Sequence, residues 1–298
     1  MYVNPYQNLN GGSWIKTNFH THSGTGAGTC GKNPLDAVIP VYREAGYGAL
    51  CISNHDLYTD TSSFSDEKMF MIDGVEYSAE SHMLTIGVKR SYRDLPHQQA
   101  IDATNKDGGF SILCHPNWIR KEYWKWSDID ELKGFAGIEV VNLLVARLSG
   151  SAIAADTWDH ILTGGRLKWG FGNDDFHIFT DAARSWTMIY SQTRDYDGIK
   201  KAVDTGTLYA STGLELESLV LEGKTIRVKA KYPVDTYVDT FTYRFFKENG
   251  ELVKETTGAS AEYTLTDEMY VRCEVIGENG AMMFCQPVYD DERMSYEK

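Results

Sequence analysis

Trp169-Gly170-Phe171-Gly172-Asn173-Asp174-Asp175-Phe176-His177 reads as a strand that ends in chemistry: its first half is apolar, and its second half delivers Asp175 and His177. Residues i and i+2 of a strand share one face, so this pair can aim at a single point. A second pair lies far upstream in Asn18-Phe19-His20-Thr21-His22, again at the end of an apolar run. Two such pairs point to a metal centre. Imidazole nitrogens combined with carboxylate oxygens suit Zn²⁺, Mn²⁺ or Fe²⁺ better than Ca²⁺ or Mg²⁺, which prefer shells of oxygen alone.

The chain between the two pairs must bring them together. Trp14 to His20 reads as a strand, and a Gly- and Thr-rich loop follows over Ser23 to Lys32. Pro34 then opens a helical pattern that Gly46 ends, with proline at the first-turn position where a missing N–H costs nothing. Ala49 to Ser53 is a short apolar run of the buried-strand type and delivers Asn54-His55-Asp56. Further strand ends follow at Glu76, in the run beginning at His82, and at His115-Pro116, with helical spacing between Pro96 and Lys106. Gly137 to Asn142 is the next strand, and a helix from Ser151 to Leu162 precedes the strand that reaches Asp175. Strands alternating with helices call for a parallel sheet with right-handed crossovers, and a closed α/β barrel gathers its C-terminal strand ends at one mouth.

From Leu214 the texture changes. Leu219 to Glu222, Thr225 to Ala230, Thr240 to Phe246, Ala261 to Leu265 and Tyr270 to Ile276 largely alternate apolar and polar residues, with turn signals at Asn249-Gly250 and Asn279-Gly280. The expected organisation is therefore a metal-binding β/α unit over residues 1–213 and an antiparallel, sandwich-like β unit over 214–298. The second unit contains no histidine, so the metal chemistry belongs to the first.

A formal net charge of −13 argues against a nucleic-acid polymer as partner, because neutralising phosphates takes a basic stripe. A small anionic substrate remains compatible if metals supply positive charge. No apolar run is long enough to span a bilayer, and the start lacks the pattern of a secretory leader, so no membrane partner is expected. Five scattered cysteines without CxxC spacing fit free thiols in a reducing compartment, the cytoplasm.

Any one histidine is more often a buried or surface group than a ligand. Six of the eight, however, sit at strand ends, and that joint pattern outweighs the bland reading. His20-Thr21-His22, Ser53-Asn54-His55-Asp56, Gly74-Val75-Glu76, His82-Met83-Leu84, His115-Pro116 and Asp174-Asp175-Phe176-His177 resemble, in order, the motifs of the PHP (polymerase and histidinol phosphatase) superfamily. The resemblance covers residues 14–212. Gly137-Ile138-Glu139-Val140-Val141-Asn142, Trp158-Asp159 and the appended β unit are further similar to the carbaryl-hydrolase-like branch.

The resemblance implies a distorted seven-stranded β/α barrel, two or three divalent ions (Zn, Mn or Fe) at the strand ends, and hydrolysis of phosphoesters. Carried over by motif, His20, His22, Glu76 and Asp175 hold one metal, while Glu76, His82 and His115 hold a second. Glu76 bridges them. His55 and His177 serve a third, at which Cys30 stands where the family has an aspartate. Asn54 likewise replaces an aspartate. Asp56 and Asp174 are expected to support ligands or cap turns, and Asn142 to line the pocket. Arg120, Lys121, Arg147 and Arg184 are candidate anion contacts, and Trp118, Tyr123, Trp124 and Trp126 offer a lid or platform. Three functions compete: a phosphoesterase for small phosphomonoesters or nucleotides, a hydrolase of carboxylic or carbamate esters, and a binding protein that has lost catalysis. The intact remainder of the ligand set favours an enzyme.

Overall fold

The computed structural model describes residues 1–234 and 239–297. In chain order its elements are β1 (Tyr2–Val3), β2 (Ser13–Asn18), α1 (Leu35–Glu44), β3 (Ala49–Cys51), β4 (Phe70–Ile72), β5 (Gly74–Tyr77), β6 (Met83–Ile86), α2 (His97–Lys106), β7 (Phe110–Leu113), α3 (Trp126–Glu131), β8 (Gly137–Asn142), α4 (Ala155–Thr163), β9 (Trp169–Asn173), β10 (Trp186–Ser191), α5 (Tyr196–Thr205) and β11 (Leu208–Ser211). Then come β12 (Glu215–Glu222), β13 (Thr225–Lys231), β14 (Phe241–Lys247), β15 (Glu251–Gly258), β16 (Ser260–Thr264), β17 (Tyr270–Gly277), β18 (Met282–Cys285) and β19 (Val288–Asp290).

The helices follow from their local chemistry. Helix α1 begins directly after Pro34 and buries Leu35, Val38, Ile39 and Tyr42 along one stripe. Helix α5 starts where the Asp195 carboxylate accepts from Gly198 N, and it stops at Gly206, whose φ of +72° only glycine adopts without cost. Among the described residues, no helix is long and apolar enough to cross a membrane.

The strands form three sheets. One of eleven strands runs β1-β19-β17-β18-β11-β10-β2-β3-β4, with β14 on β17 and β15 on β14; one of five runs β5-β6-β7-β8-β9; and β12-β13-β16 forms the third. The expected closed seven-stranded barrel is not formed, because no continuous ladder joins the first two sheets. At the places where closure would occur, only isolated bridges pair His55 with Glu76 and Thr21 with Phe176. The physical reason is local: the chain leaves extended geometry just beyond the strands, with positive φ at Asp56 (51°), His115 (32°) and Asp175 (54°). The backbone turn at these residues ends the ladders.

The expectation of a wholly parallel sheet also needs correction. β5 pairs antiparallel with β6, β6 with β7, and β10 with both β2 and β11. Residues 78–82 between β5 and β6 are too few for a crossover, which takes about a dozen. The two sheets nevertheless clasp one core: Phe19, just past β2, meets Phe110 of β7 and Phe171 of β9 edge to face at 5.8 and 5.9 Å. That apolar layer is the floor under the strand ends.

Beyond residue 213 every described ladder is antiparallel, matching the period-two alternation. The β11–β18 ladder, Tyr209 opposite Cys285, continues the large sheet past this point in the sequence. A buried ion pair also ties the later strands to α4: Arg272 Nε lies 2.7 Å from Asp159 Oδ1, its other nitrogens reach Asp159 Oδ2 and Glu274, and Tyr270 Oη donates to Asp159 Oδ1 at 2.9 Å. Both ends of the pair are almost wholly buried. Removing one partner strands the other charge in a low dielectric, so Asp159→Ala is expected to cost about 3–5 kcal/mol in a denaturant titration. A loss under about 1 kcal/mol would mean that Glu274 alone satisfies the guanidinium.

Candidate metal centre

His20 and His22 follow β2 and are held by amide side chains and by the Thr21–Phe176 bridge, in which His22 N donates to Phe176 O at 2.9 Å. Asn18 Nδ2 donates to His20 O (3.0 Å) and Thr21 Oγ1 (2.7 Å), Asn18 Oδ1 accepts from Asp174 N (3.1 Å), and Asn173 Oδ1 accepts from Phe19 N (2.9 Å). These bonds lock the end of β2 to the end of β9. Asp174 serves the same purpose: its carboxylate accepts from the backbone N of Ala183, Arg184 and Ser185 and from Tyr42 Oη. Burial pushes its carboxyl up to about 6, against those four donors.

Four ligand atoms from both sheets then converge. His20 Nε2 lies 3.2 Å from His22 Nε2, 3.2 Å from Glu76 Oε2 and 3.2 Å from Asp175 Oδ1; His22 Nε2 lies 3.1 and 3.3 Å from the same two oxygens. Glu76 Oε2 and Asp175 Oδ1 are buried and have no hydrogen-bond partner. Neighbouring donors around a tetrahedral ion with bonds of about 2.0–2.1 Å sit roughly 3.3 Å apart. The spacing and the unsatisfied oxygens therefore fit a divalent cation.

The other oxygen of Glu76 faces another group. Oε1 is 2.9 Å from His82 Nδ1 and 3.5 Å from His115 Nε2, while Oε2 also approaches His55 Nδ1 at 2.8 Å. Glu76 thus stands between two sets of imidazoles. On the far side, His22, Cys30, His55 and His177 bring four donor atoms within 4.8 Å of one another.

The electrostatics of the cluster favours positive charge. Burial disfavours protonating His20, yet Asp175, Glu76 and Glu139 outweigh it and hold the imidazole well above its ordinary range. Burial likewise opposes ionising Glu76, but His55, His20 and His82 keep it well below the carboxylate range. At Cys30 burial acts against the thiolate, and the neighbouring imidazoles of His177, His22 and His55 outweigh it, drawing the thiol down to about 4. A buried cluster this rich in carboxylate attracts cations, and a divalent ion would let the imidazoles be neutral.

The remaining candidates take distinct places. Asn142 Nδ2 donates to Asp175 Oδ2 (3.2 Å) and Glu139 Oε2 (2.7 Å). Asn54 anchors the Cys30 loop, accepting from Ser23 N (2.8 Å) and donating to Ser23 Oγ (3.0 Å). Asp56 turns away from the cluster and accepts from Ser78 N and Oγ. Arg120 lies over the Trp118 ring with Nη1 3.2 Å from His82 Nε2, so its charge borders the histidines. Arg147 is instead gripped by Asp181 through two bonds of 2.9 Å, Lys121 is exposed beside Glu122, and Arg184 lines a cleft with Leu143 and Met282. Trp118 and Tyr123 pack on His82 and His115, whereas Trp126 stacks on His160 at 4.3 Å, away from the cluster.

One central residue was quoted within a motif stretch but given no role. Glu139 Oε1 accepts from His20 Nδ1 (2.7 Å) and Asn173 Nδ2 (2.9 Å), and Oε2 accepts from His115 N (2.8 Å) and Asn142 Nδ2. With four donors it has no lone pair to spare for a metal, although Cys114, His20 and His115 lie close by. It positions ligands instead. The signal was present: an acidic residue inside the fully buried strand β8 is costly unless its oxygens are used.

No protein-family model matches the sequence, and no curated protein does. Among solved structures, the chain is similar to a two-domain protein from Bacteroides vulgatus containing a predicted PHP-like metal-dependent phosphoesterase. The TM-score is 0.51 and the identity 16%, over 100% of this chain and 99% of that one. At this identity the likeness establishes a shared fold.

Proposed function

We propose that this protein is a metal-dependent hydrolase, and more narrowly a phosphoesterase acting on small anionic phosphomonoesters or nucleotides. One observation carries the reading: two carboxylate oxygens without hydrogen-bond partners and two imidazole nitrogens meet at 3.1–3.3 Å in a buried cluster. The shared fold of the Bacteroides protein supports it, as does the ordered resemblance to PHP motifs.

In this reading His20, His22, Glu76 and Asp175 hold one divalent ion, and Glu76, His82 and His115 a second. Such ions would supply an acidified water and polarise an ester oxygen, so no Ser or Cys nucleophile would be needed. The chain's own residues prepare the ground. Glu139 accepts a hydrogen bond from His20 Nδ1, which makes Nε2 the nitrogen that faces the cluster. Tyr123 Oη bonds His115 Nδ1 at 2.8 Å and accepts from His82 N at 3.1 Å, setting both rings. Arg120, whose charged group borders His82, is the proposed anion contact. Residues 1–213 form the catalytic unit in this scheme, and 214–298 an appended one. Five unpaired cysteines fit a reducing, cytoplasmic setting.

The purified protein is expected to carry at least two divalent ions per chain by elemental analysis, and chelation should abolish turnover. Full activity after complete metal removal would end the proposal. A panel of phosphate, carboxylate and carbamate esters should show phosphate preferred; turnover of carboxylate or carbamate esters alone would move the function to that class, and metal binding without any turnover would indicate a binding protein.

Glu76→Gln is expected to lower metal content at both groups, whereas normal stoichiometry in that variant would place the bridge elsewhere. Glu139→Gln keeps the shape but turns one acceptor into a donor against four donors. Its metal affinity should weaken by about 10–100-fold in a competition titration with a chromophoric chelator. Unchanged affinity would reduce Glu139 to a packing role.

A further inference from the structure

We infer that Cys30 makes one position of this centre selective for soft cations, Zn²⁺ or Cd²⁺, over Mn²⁺. The inference rests on the metal-centre reading above and concerns residues that this chain contributes on its own. Cys30 Sγ lies 3.2 Å from His177 Nε2, within a group whose other donors come from His22 and His55. His177 Nδ1 faces the Asp175 carbonyl at 3.0 Å; a carbonyl only accepts, so Nδ1 carries a proton and Nε2 is the nitrogen left to face the sulfur and to ligate once deprotonated. His22 is wholly buried, and its Nδ1 has no hydrogen-bond partner.

The sulfur is held there by the loop. Ser23 is clamped by Asn54 at one foot, and Lys32 N donates to His177 O (3.1 Å) at the other. Between the feet, Gly31 passes so near the Ser23 backbone that a Cβ would lie 2.5 Å from it. A side chain on residue 31 would thus push the strands of the loop apart and move Cys30.

The donor chemistry does the sorting. With His22 given to the first ion, the Cys30 group offers the imidazoles of His55 and His177 and one sulfur with no carboxylate, whereas the groups around Glu76 and Asp175 each include carboxylate oxygen. Thiolate favours zinc and its softer relatives, and carboxylate suits harder ions such as Mn²⁺. One centre can therefore sort two kinds of cation.

Cobalt substitution of the full chain tests this by absorption. Wild type should show visible d–d bands together with a near-ultraviolet thiolate-to-cobalt charge-transfer band, and Cys30→Ser should lose the charge-transfer band alone. Cys30 is the one exposed cysteine of the five, so its alkylation, followed by mass spectrometry, should slow with Zn²⁺ and not with Mn²⁺. In mixed Zn²⁺ and Mn²⁺, Cys30→Asp should exchange part of its zinc for manganese relative to wild type. Visible bands without charge transfer, or a charge-transfer band that survives in Cys30→Ser, would overturn the inference while leaving the metal centre standing. The absence of all cobalt bands would overturn the centre itself.

Discussion

A carboxylate with both oxygens buried is among the most expensive groups a protein can enclose, and the two sheets of this molecule meet around one, Glu76. Desolvation costs several kcal/mol unless charge or hydrogen bonds compensate. Here compensation comes from imidazoles on opposite sides: His20, His22 and His55 at one oxygen, His82 and His115 at the other. Those histidines belong to segments from residue 20 to residue 115, so the arrangement of the strands in this half is bound up with satisfying one side chain. A second carboxylate, Glu139, completes the frame by tying His20, His115, Asn142 and Asn173 together from beneath.

Much of this was legible in the chain itself. The apolar runs that end in His20–His22 and Asp175–His177 located pairs that the fold brings to one cluster. Both pairs lie past the last strand residue and Asp175 has left the extended region, so shared strand geometry is not what aims them. The single carboxylate after Gly74-Val75 was legible from the run before it. Barrel closure was not, since it depends on whether the ladders continue past Asp56, His115 and Asp175, and the positive φ values that stop them leave no trace in hydrophobic period. Glu139 was hidden in plain sight within an apolar strand. Among the basic residues, sequence offered no way to separate Arg147, neutralised by Asp181 some thirty residues on, from Arg120, which approaches His82.

The later strands were readable as antiparallel from their alternation, but their attachment was not. β18 enters the large sheet beside β11, and β19 pairs with β1 at the chain's beginning, contacts made between segments with no local pattern in common. The buried Asp159–Arg272 pair adds a further tie, between α4 and β17.

The left-handed backbone at Asp56, His115 and Asp175 has an evolutionary side. Residues with a Cβ enter this region at a cost of roughly 1–3 kcal/mol each, so a chain under pressure for stability alone would drift toward glycine or asparagine there. His115 and Asp175 cannot follow that drift without giving up a side chain in the cluster. At His115 and Asp175 conformational tension and chemical use thus coincide, and the rest of the fold must be stable enough to carry both.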